Sequence, residues 1–483
     1  MKRLLSVLII LSLILSISGC KKKEETPTPT PETPAEVMHT PMNYNGVSIT
    51  EYRIVCDLEG LDYNLRAAEY IQSAIKTVTG HTTVIVDDSA PKSAHEIVVG
   101  ETSREISAEL NETMEGVQFS MLTKDGTVAL EGNYFVIAAA AYYFVDTYVK
   151  AGDVEIADAT LVREPIVKEA KSYILLIGDG MGVHQTQLFD YLTDTSDYSD
   201  GESLFYGYML PYRGFSRTSS FSGTTDSAAS GTAMATGYKT VNERIGMDRN
   251  GNTLKSITEL AAELGKATAV MSTEVSTGAT PSAFSAHVLD RDDSEGIRKS
   301  QAALTQQYGT VIECGFDYYS ARYMKTSIEK RITETLAKMD ADSDGFFLMY
   351  EEAYIDKHCD DNDFEKAFLA LLRFNQAIGR FMEYAFYNPD TAVIITADHE
   401  TGGLTLVDGE LVFTTLEHTA ANVPVFAWGQ GTEYFGGATV ENIQISHFLS
   451  SAMGVDTFGD RTGGWAEEIY PDGIPTELPE VEF

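Results

Sequence analysis

The sequence predicts an α/β protein: a mostly parallel, doubly wound sheet in the larger C-terminal part, preceded by a smaller α/β domain. From Lys171 onward, apolar β-rich runs alternate with stretches of helical spacing. These runs are Tyr173–Ile177, Ala267–Met271, Gly345–Tyr350, Ala392–Thr396 and Val423–Trp428. Such alternation marks a parallel sheet covered by helices on both faces. The polar residues fall in one place relative to it: Asp179, Glu351 and Asp398-His399 each come directly after an apolar run. Ligands of open α/β sheets bind beyond the carboxyl ends of the strands, so several strands deliver acids and a histidine to one edge.

In chain order, the first element is an address. Lys2 and Arg3 precede an apolar run, Leu4 to Ile17, that ends in Ile17-Ser18-Gly19-Cys20. A basic start, a short apolar stretch and small residues before a cut site describe a secretory signal; the run is short for a membrane span. Its end resembles a bacterial lipobox, which implies removal of residues 1–19 and lipidation of Cys20. Residues 20–42 then form the tether, its Thr-Pro alternation favouring an extended spacer. The expected location is extracytoplasmic, lipid-anchored to the cell membrane.

Charge agrees with export. The chain carries −37, and losing Lys2 and Arg3 with the signal takes it to −39. That surface repels nucleic acid and anionic headgroups, so nucleic acid is not an expected partner. It also repels phosphate esters at long range, so a phosphate site here must carry its own positive charge. Apart from Cys20, the cysteines are Cys56, Cys314 and Cys359, an odd number that does not suggest a disulfide framework.

Residues 43–165 form the smaller domain. Ser48–Val55 reads as a strand, Asn64–Thr79 as an amphipathic helix closed by Gly80, and Thr82–Val86 and Glu96–Val99 as further strands. Lys124-Asp125-Gly126 signals a hairpin, and Tyr134–Tyr148 a buried helix. No motif here ties to chemistry. The plan of its first half resembles the small domain that precedes the barrel in some glycoside hydrolases. A packing or spacer module is the plain reading, and cell-wall or carbohydrate contact the sharper one.

Residues 170–483 carry the chemistry. Carboxylates with a few imidazoles suit zinc and harder divalent cations. His184, His287 and His447 lack a strand-end setting and read as structural. The most informative stretch is Thr225-Asp226-Ser227-Ala228-Ala229-Ser230-Gly231, continuing through small residues to Thr240. Small residues after Ser227 permit a tightly packed helix whose N-terminus favours anions. A serine there is commonly an N-cap, but beside metal ions its hydroxyl becomes a nucleophile.

These motifs resemble the alkaline phosphatase family over residues 171–455. Tyr173–Gly182 resembles its first metal-binding strand and Asp226-Ser227-Ala228 its nucleophile motif. Gly278-Ala-Thr-Pro281 through Arg291 resembles the segment with a magnesium-ligand threonine and the phosphate-binding arginine. Glu351–Asp356, Thr396–Gly403 and Glu417-His418-Thr419 resemble the remaining ligand segments.

The resemblance implies hydrolysis of phosphate monoesters through a phosphoserine on Ser227, with two zinc ions and one magnesium. It implies that Asp179, Asp398 and His399 hold one zinc, and Asp356 and His418 the other. Asp179, Thr280 and Glu351 would hold magnesium. Arg291 would clamp phosphate oxygens, Asp226 would orient Arg291, and Lys357 would add positive charge. A homodimer is among its expectations.

Two departures stand out. Gly278 replaces a family acid or histidine near magnesium, which weakens or alters that site. Asp360 replaces a zinc-ligand histidine; Asp360 is the assigned substitute, His358 the alternative and Cys359 a third. Rival functions are a phosphodiesterase of the same superfamily and a surface-binding protein with an altered metal site.

Overall fold

The computed structural model describes residues 40–110, 114–189, 204–315 and 324–476. Cys20, the signal and most of the tether lie outside the described residues. None of the described helices is long and apolar enough to cross a membrane.

In the smaller sheet, four strands run parallel in the order Ile85–Asp87, Arg53–Cys56, Glu96–Val99, Thr127–Gly132. Phe119–Lys124 and Ala159–Arg163 extend it antiparallel. The hairpin falls at Asp125-Gly126, both with positive φ, 50° and 78°, as a two-residue primed turn requires. The helix Asp62–Thr79 ends where Gly80 turns left-handed (φ 73°) and donates to the Lys76 carbonyl.

The strand expected over Ser48–Val55 is broken. The Ser48 hydroxyl accepts from Thr50 N–H at 3.3 Å and caps a short 3₁₀ turn, Ile49–Glu51, so pairing restarts at Arg53. Local side-chain bonds of this kind compete with a sheet ladder. The helix expected over Tyr134–Tyr148 is made of a 3₁₀ turn (Tyr134–Val136), an α segment (Ile137–Phe144) and a π turn (Val145–Val149).

The larger sheet has eight strands in the order Val311–Cys314, Ala267–Ser272, Phe346–Glu352, Ser172–Gly178, Thr391–Thr396, Val423–Trp428, Tyr212–Arg217, Thr439–Glu441. Only Val423–Trp428 runs against the rest. Alternation along the central strand separates the two faces: Ile174 and Leu176 join one core cluster, Tyr173, Leu175 and Ile177 another. Helices therefore cover both faces, as a doubly wound sheet demands.

The first cluster continues into the smaller sheet. The helix Phe364–Tyr387 makes the join: Tyr387 stacks on Tyr70 at 4.3 Å, Phe386 meets Phe135 at 5.6 Å, and Glu383 accepts from Arg66 at 2.8 Å. From Thr40 onward the chain is one compact unit with a shared apolar core.

Candidate active site

The site lies at the carboxyl ends of three adjacent strands. Asp179 follows Ser172–Gly178, Glu351 is near the end of Phe346–Glu352, and Asp398-His399 follow Thr391–Thr396. Gly180 is required here. Its φ is 73°, and a Cβ would come within 2.7 Å of the Asp356 backbone. Its N–H donates to Asp398 Oδ1 at 3.1 Å, tying two strand ends together.

The helix Ser227–Thr236 brings the serine. Its N-cap is Asp226 rather than Ser227: Asp226 Oδ1 accepts from Ala229 N–H at 2.8 Å, which leaves the Ser227 hydroxyl uncommitted to capping. Gly231 lets the helix press on the segment Ala279–Ala283, since a Cβ there would stand 3.0 Å from the Ala283 methyl. Ser230 Oγ donates to the Asp398 carbonyl at 2.6 Å. These contacts set Ser227 Oγ 3.2 Å from His399 Nε2.

Two clusters of potential ligands surround that point: Asp179, Asp398 and His399, and Asp356, His399 and His418. His399 Nε2 lies 3.2 Å from Asp398 and 3.4 Å from Asp179, and His418 Nε2 lies 3.3 Å from Asp356. The two imidazoles stack at 3.6 Å. Asp179 Oδ1 and Asp398 Oδ2 are buried and meet only the shared His399 nitrogen, while Glu351 Oε1 and Thr280 Oγ1 are buried and meet only each other among the described residues. Buried oxygens of this kind are nearly always satisfied, and a divalent cation satisfies carboxylates at such spacing. The donor set thus fits metal ions.

The sequence model of the family described as "Alkaline phosphatase" matches residues 170–314 and 313–416. This chain belongs to the alkaline phosphatase family. "Alkaline phosphatase 3" of Bacillus subtilis (strain 168) is 29% identical over 307 residues, 53% of this chain and 66% of the relative, just under two thirds of its length. The alkaline phosphatase of the Antarctic bacterium TAB5 superposes with a TM-score of 0.52 at 25% identity, covering 60% of this chain and 99% of that one. A variant of the TAB5 enzyme, solved with Mg bound in its M3 site, gives 26% identity and a TM-score of 0.51 over the same shares. The match to the family begins at residue 170, after the smaller sheet.

Electrostatics in this alkaline phosphatase fold follow from burial and crowding. Burial pushes Asp179 well above the usual carboxylate range, and the charges of Asp398 and Asp356 push it further. Burial and then Glu274 do the same to Glu351. Burial alone would raise Asp356, but the His418 hydrogen bond, the charges of His399 and His418 and the Thr401 hydroxyl together outweigh it and hold Asp356 at about 2. At His418 the bond and charge of Asp356, with the Thr225 carbonyl and the Asp398 charge, together overcome burial and lift it to about 9. Crowded buried carboxylates repel one another unless cations separate them.

Arg291 donates to Asp226 Oδ2 at 3.1 Å, and its backbone N–H donates to the Glu243 carbonyl. Asp226 therefore caps the serine helix with one oxygen and holds the guanidinium with the other. Lys357 Nζ donates to Glu274 at 2.6 Å. Glu274 was not singled out from the sequence: it follows a strand end, Ser272, as the other site acids do, but its neighbours match no ligand segment.

Asp360 is outside both clusters. It caps the C-terminus of the helix Tyr354–Cys359, exposed, with its N–H donating to the Asp356 carbonyl at 2.8 Å. Burial and the Asp356 charge raise it to about 6, while His418 pulls the other way. His358 is turned toward other company. Burial and the charges of Arg373 and Lys366 lower its proton affinity, and its ring lies 6.1 Å from Tyr354. Cys359 is fully buried, its thiol pushed up by burial. His287 bonds Gly246 and Glu259, and His447 bonds Gly237.

Proposed function

We propose that this chain hydrolyses phosphate monoesters, forming and then cleaving a phosphoserine at Ser227. The observation that carries this reading is the meeting of Ser227 Oγ with His399 between two acid–histidine clusters whose buried oxygens want cations. Two zinc ions would be held by Asp179, Asp398 and His399, and by Asp356 and His418, with Asp360 turning in as a third ligand from the neighbouring helix end, where it feels the charges of both; magnesium would be held by Asp179, Thr280 and Glu351. When bound, such ions lower the pKa of a hydroxyl or water and neutralise charge on the transferring phosphoryl group.

The protein groups supply the rest. Ser227 presents its oxygen from the first turn of a helix, where unpaired N–H groups attract phosphate. Arg291, fixed by Asp226, offers a planar fork to two phosphate oxygens. It also supplies the local positive charge that the acidic surface lacks. Phosphorus is attacked in line by Ser227, the alcohol leaves with a proton, and water then splits the phosphoserine to regenerate the hydroxyl and release phosphate. Purified protein should turn over a chromogenic phosphomonoester, lose that activity to a chelator and regain it with zinc and magnesium. Absence of turnover in fully metallated protein would overturn the reading.

The anchor belongs to the same proposal. Residues 1–19 are removed and Cys20 carries a diacylglyceryl group, whose two chains suffice for stable membrane retention. Mass spectrometry of the membrane-extracted protein tests this. An unmodified Cys20, or Cys20→Ala remaining in the membrane fraction, would defeat it.

A further inference from the structure

Gly278 has ordinary extended backbone, φ −62° and ψ 159°, so its conformation does not call for glycine. Space does: a Cβ on Gly278 would stand 1.7 Å from Glu274 Oε1. The volume that a side chain at Gly278 would fill holds the Glu274 carboxylate instead. The other oxygen, Oε2, accepts from Lys357 Nζ at 2.6 Å. Ser272 Oγ ties the backbone down, accepting from Glu274 N–H at 3.0 Å while donating to Glu351 Oε2. Ser272 thus links the Glu274 backbone to the Glu351 carboxylate, and the Glu274 charge is felt at Glu351.

A second observation points independently to a ligand. Glu351 and Thr280 have no exposure, and apart from each other Glu351 Oε1 and Thr280 Oγ1 meet no hydrogen-bond partner among the described residues. Carboxylate and hydroxyl oxygens together suit a small hard cation such as magnesium.

We propose that Glu274 supplies, from four residues upstream, the acidic group that position 278 lacks, and so completes a magnesium site with Thr280 and Glu351. The proposal rests on the phosphatase reading of the site. It makes Gly278 a consequence of Glu274, because both side chains cannot occupy one volume. It also gives Lys357 a partner that holds its charge at the edge of the site.

The test is calorimetric titration of magnesium into zinc-loaded protein. Glu274→Gln should weaken magnesium at least about tenfold, the scale on which supporting ligands act, with zinc stoichiometry unchanged. Gly278→Ala, which pushes the carboxylate aside while leaving Glu274 in the chain, should give the same loss and guards against a Glu274 variant that fails to fold. Gly278→Asp combined with Glu274→Ala should restore affinity by returning the acid to the helix start. Magnesium binding by Glu274→Gln within about twofold of wild type, or no recovery in the double variant, would overturn the proposal. Failure of the phosphatase reading shows separately, as wild-type protein with every site filled and no turnover.

Discussion

Ser227 Oγ lies 3.2 Å from His399 Nε2, although the two residues are 172 positions apart in the chain. Both are buried, and burial lowers the proton affinity of the imidazole, whose other nitrogen meets the Thr401 hydroxyl at 3.1 Å, which suits Nε2 to act as a ligand or acceptor. Ser227→Ala should therefore cut phosphomonoester turnover by at least about 10³-fold, with thermal stability and zinc content close to wild type. Turnover within tenfold of wild type would remove Ser227 from the chemistry.

Asp226 couples Arg291, the proposed phosphate clamp, to the serine helix. Arg291→Lys keeps the charge but loses the planar fork. It should raise KM and the inhibition constant for inorganic phosphate about tenfold, with little change in melting temperature. Asp226→Ala should do that and also remove a helix cap, at a cost of about 1 kcal/mol in stability. Chemical denaturation beside phosphate inhibition separates the two effects. Equal stability of Asp226→Ala and wild type would refute the capping role.

The ligands of the proposed second zinc site can be decided by metal retention. Asp360→Ala should weaken one zinc about tenfold and leave the other in place, read as stoichiometry after dialysis against graded chelator. His358→Ala should retain both, because its ring keeps company with Tyr354 and the Arg373 charge. Loss of zinc from His358→Ala with full retention in Asp360→Ala would reverse the assignment.

Glu131, in the smaller sheet, gives a pH signature away from the candidate metal ligands. Burial, helped by the nearby charge of Glu101, raises its carboxyl from 4.5 to about 7. A carboxyl whose folded pKa is raised favours the folded state while protonated. Its contribution is full below about pH 4.5 and is lost as pH climbs through 7. Glu131→Gln stays neutral, so its melting temperature relative to wild type should rise between pH 5 and 8. A pH-independent difference would show that Glu131 ionises normally in the fold.

Much of this was legible from local pattern. The helix closed by Gly80, the hairpin at Asp125-Gly126 and the strand ends at Asp179, Glu351 and Asp398 follow from period and turn chemistry. Both act over a few residues and need no knowledge of distant partners. The break after Ser48 was missed because one hydroxyl-to-backbone bond outcompeted a strand pattern.

The sequence by itself determined the α/β class, the acids and histidines sent to one sheet edge, and the serine set at a helix start. Only the tertiary structure decided that Asp226 takes the capping role and that His399 belongs to both clusters. It also placed the Glu274 carboxylate in the space beside Gly278 and joined the two sheets through one core. The physical reason is range. Periodicity and capping are encoded by neighbours in sequence, whereas a shared ligand, a filled volume and a common core depend on which distant surfaces close-pack.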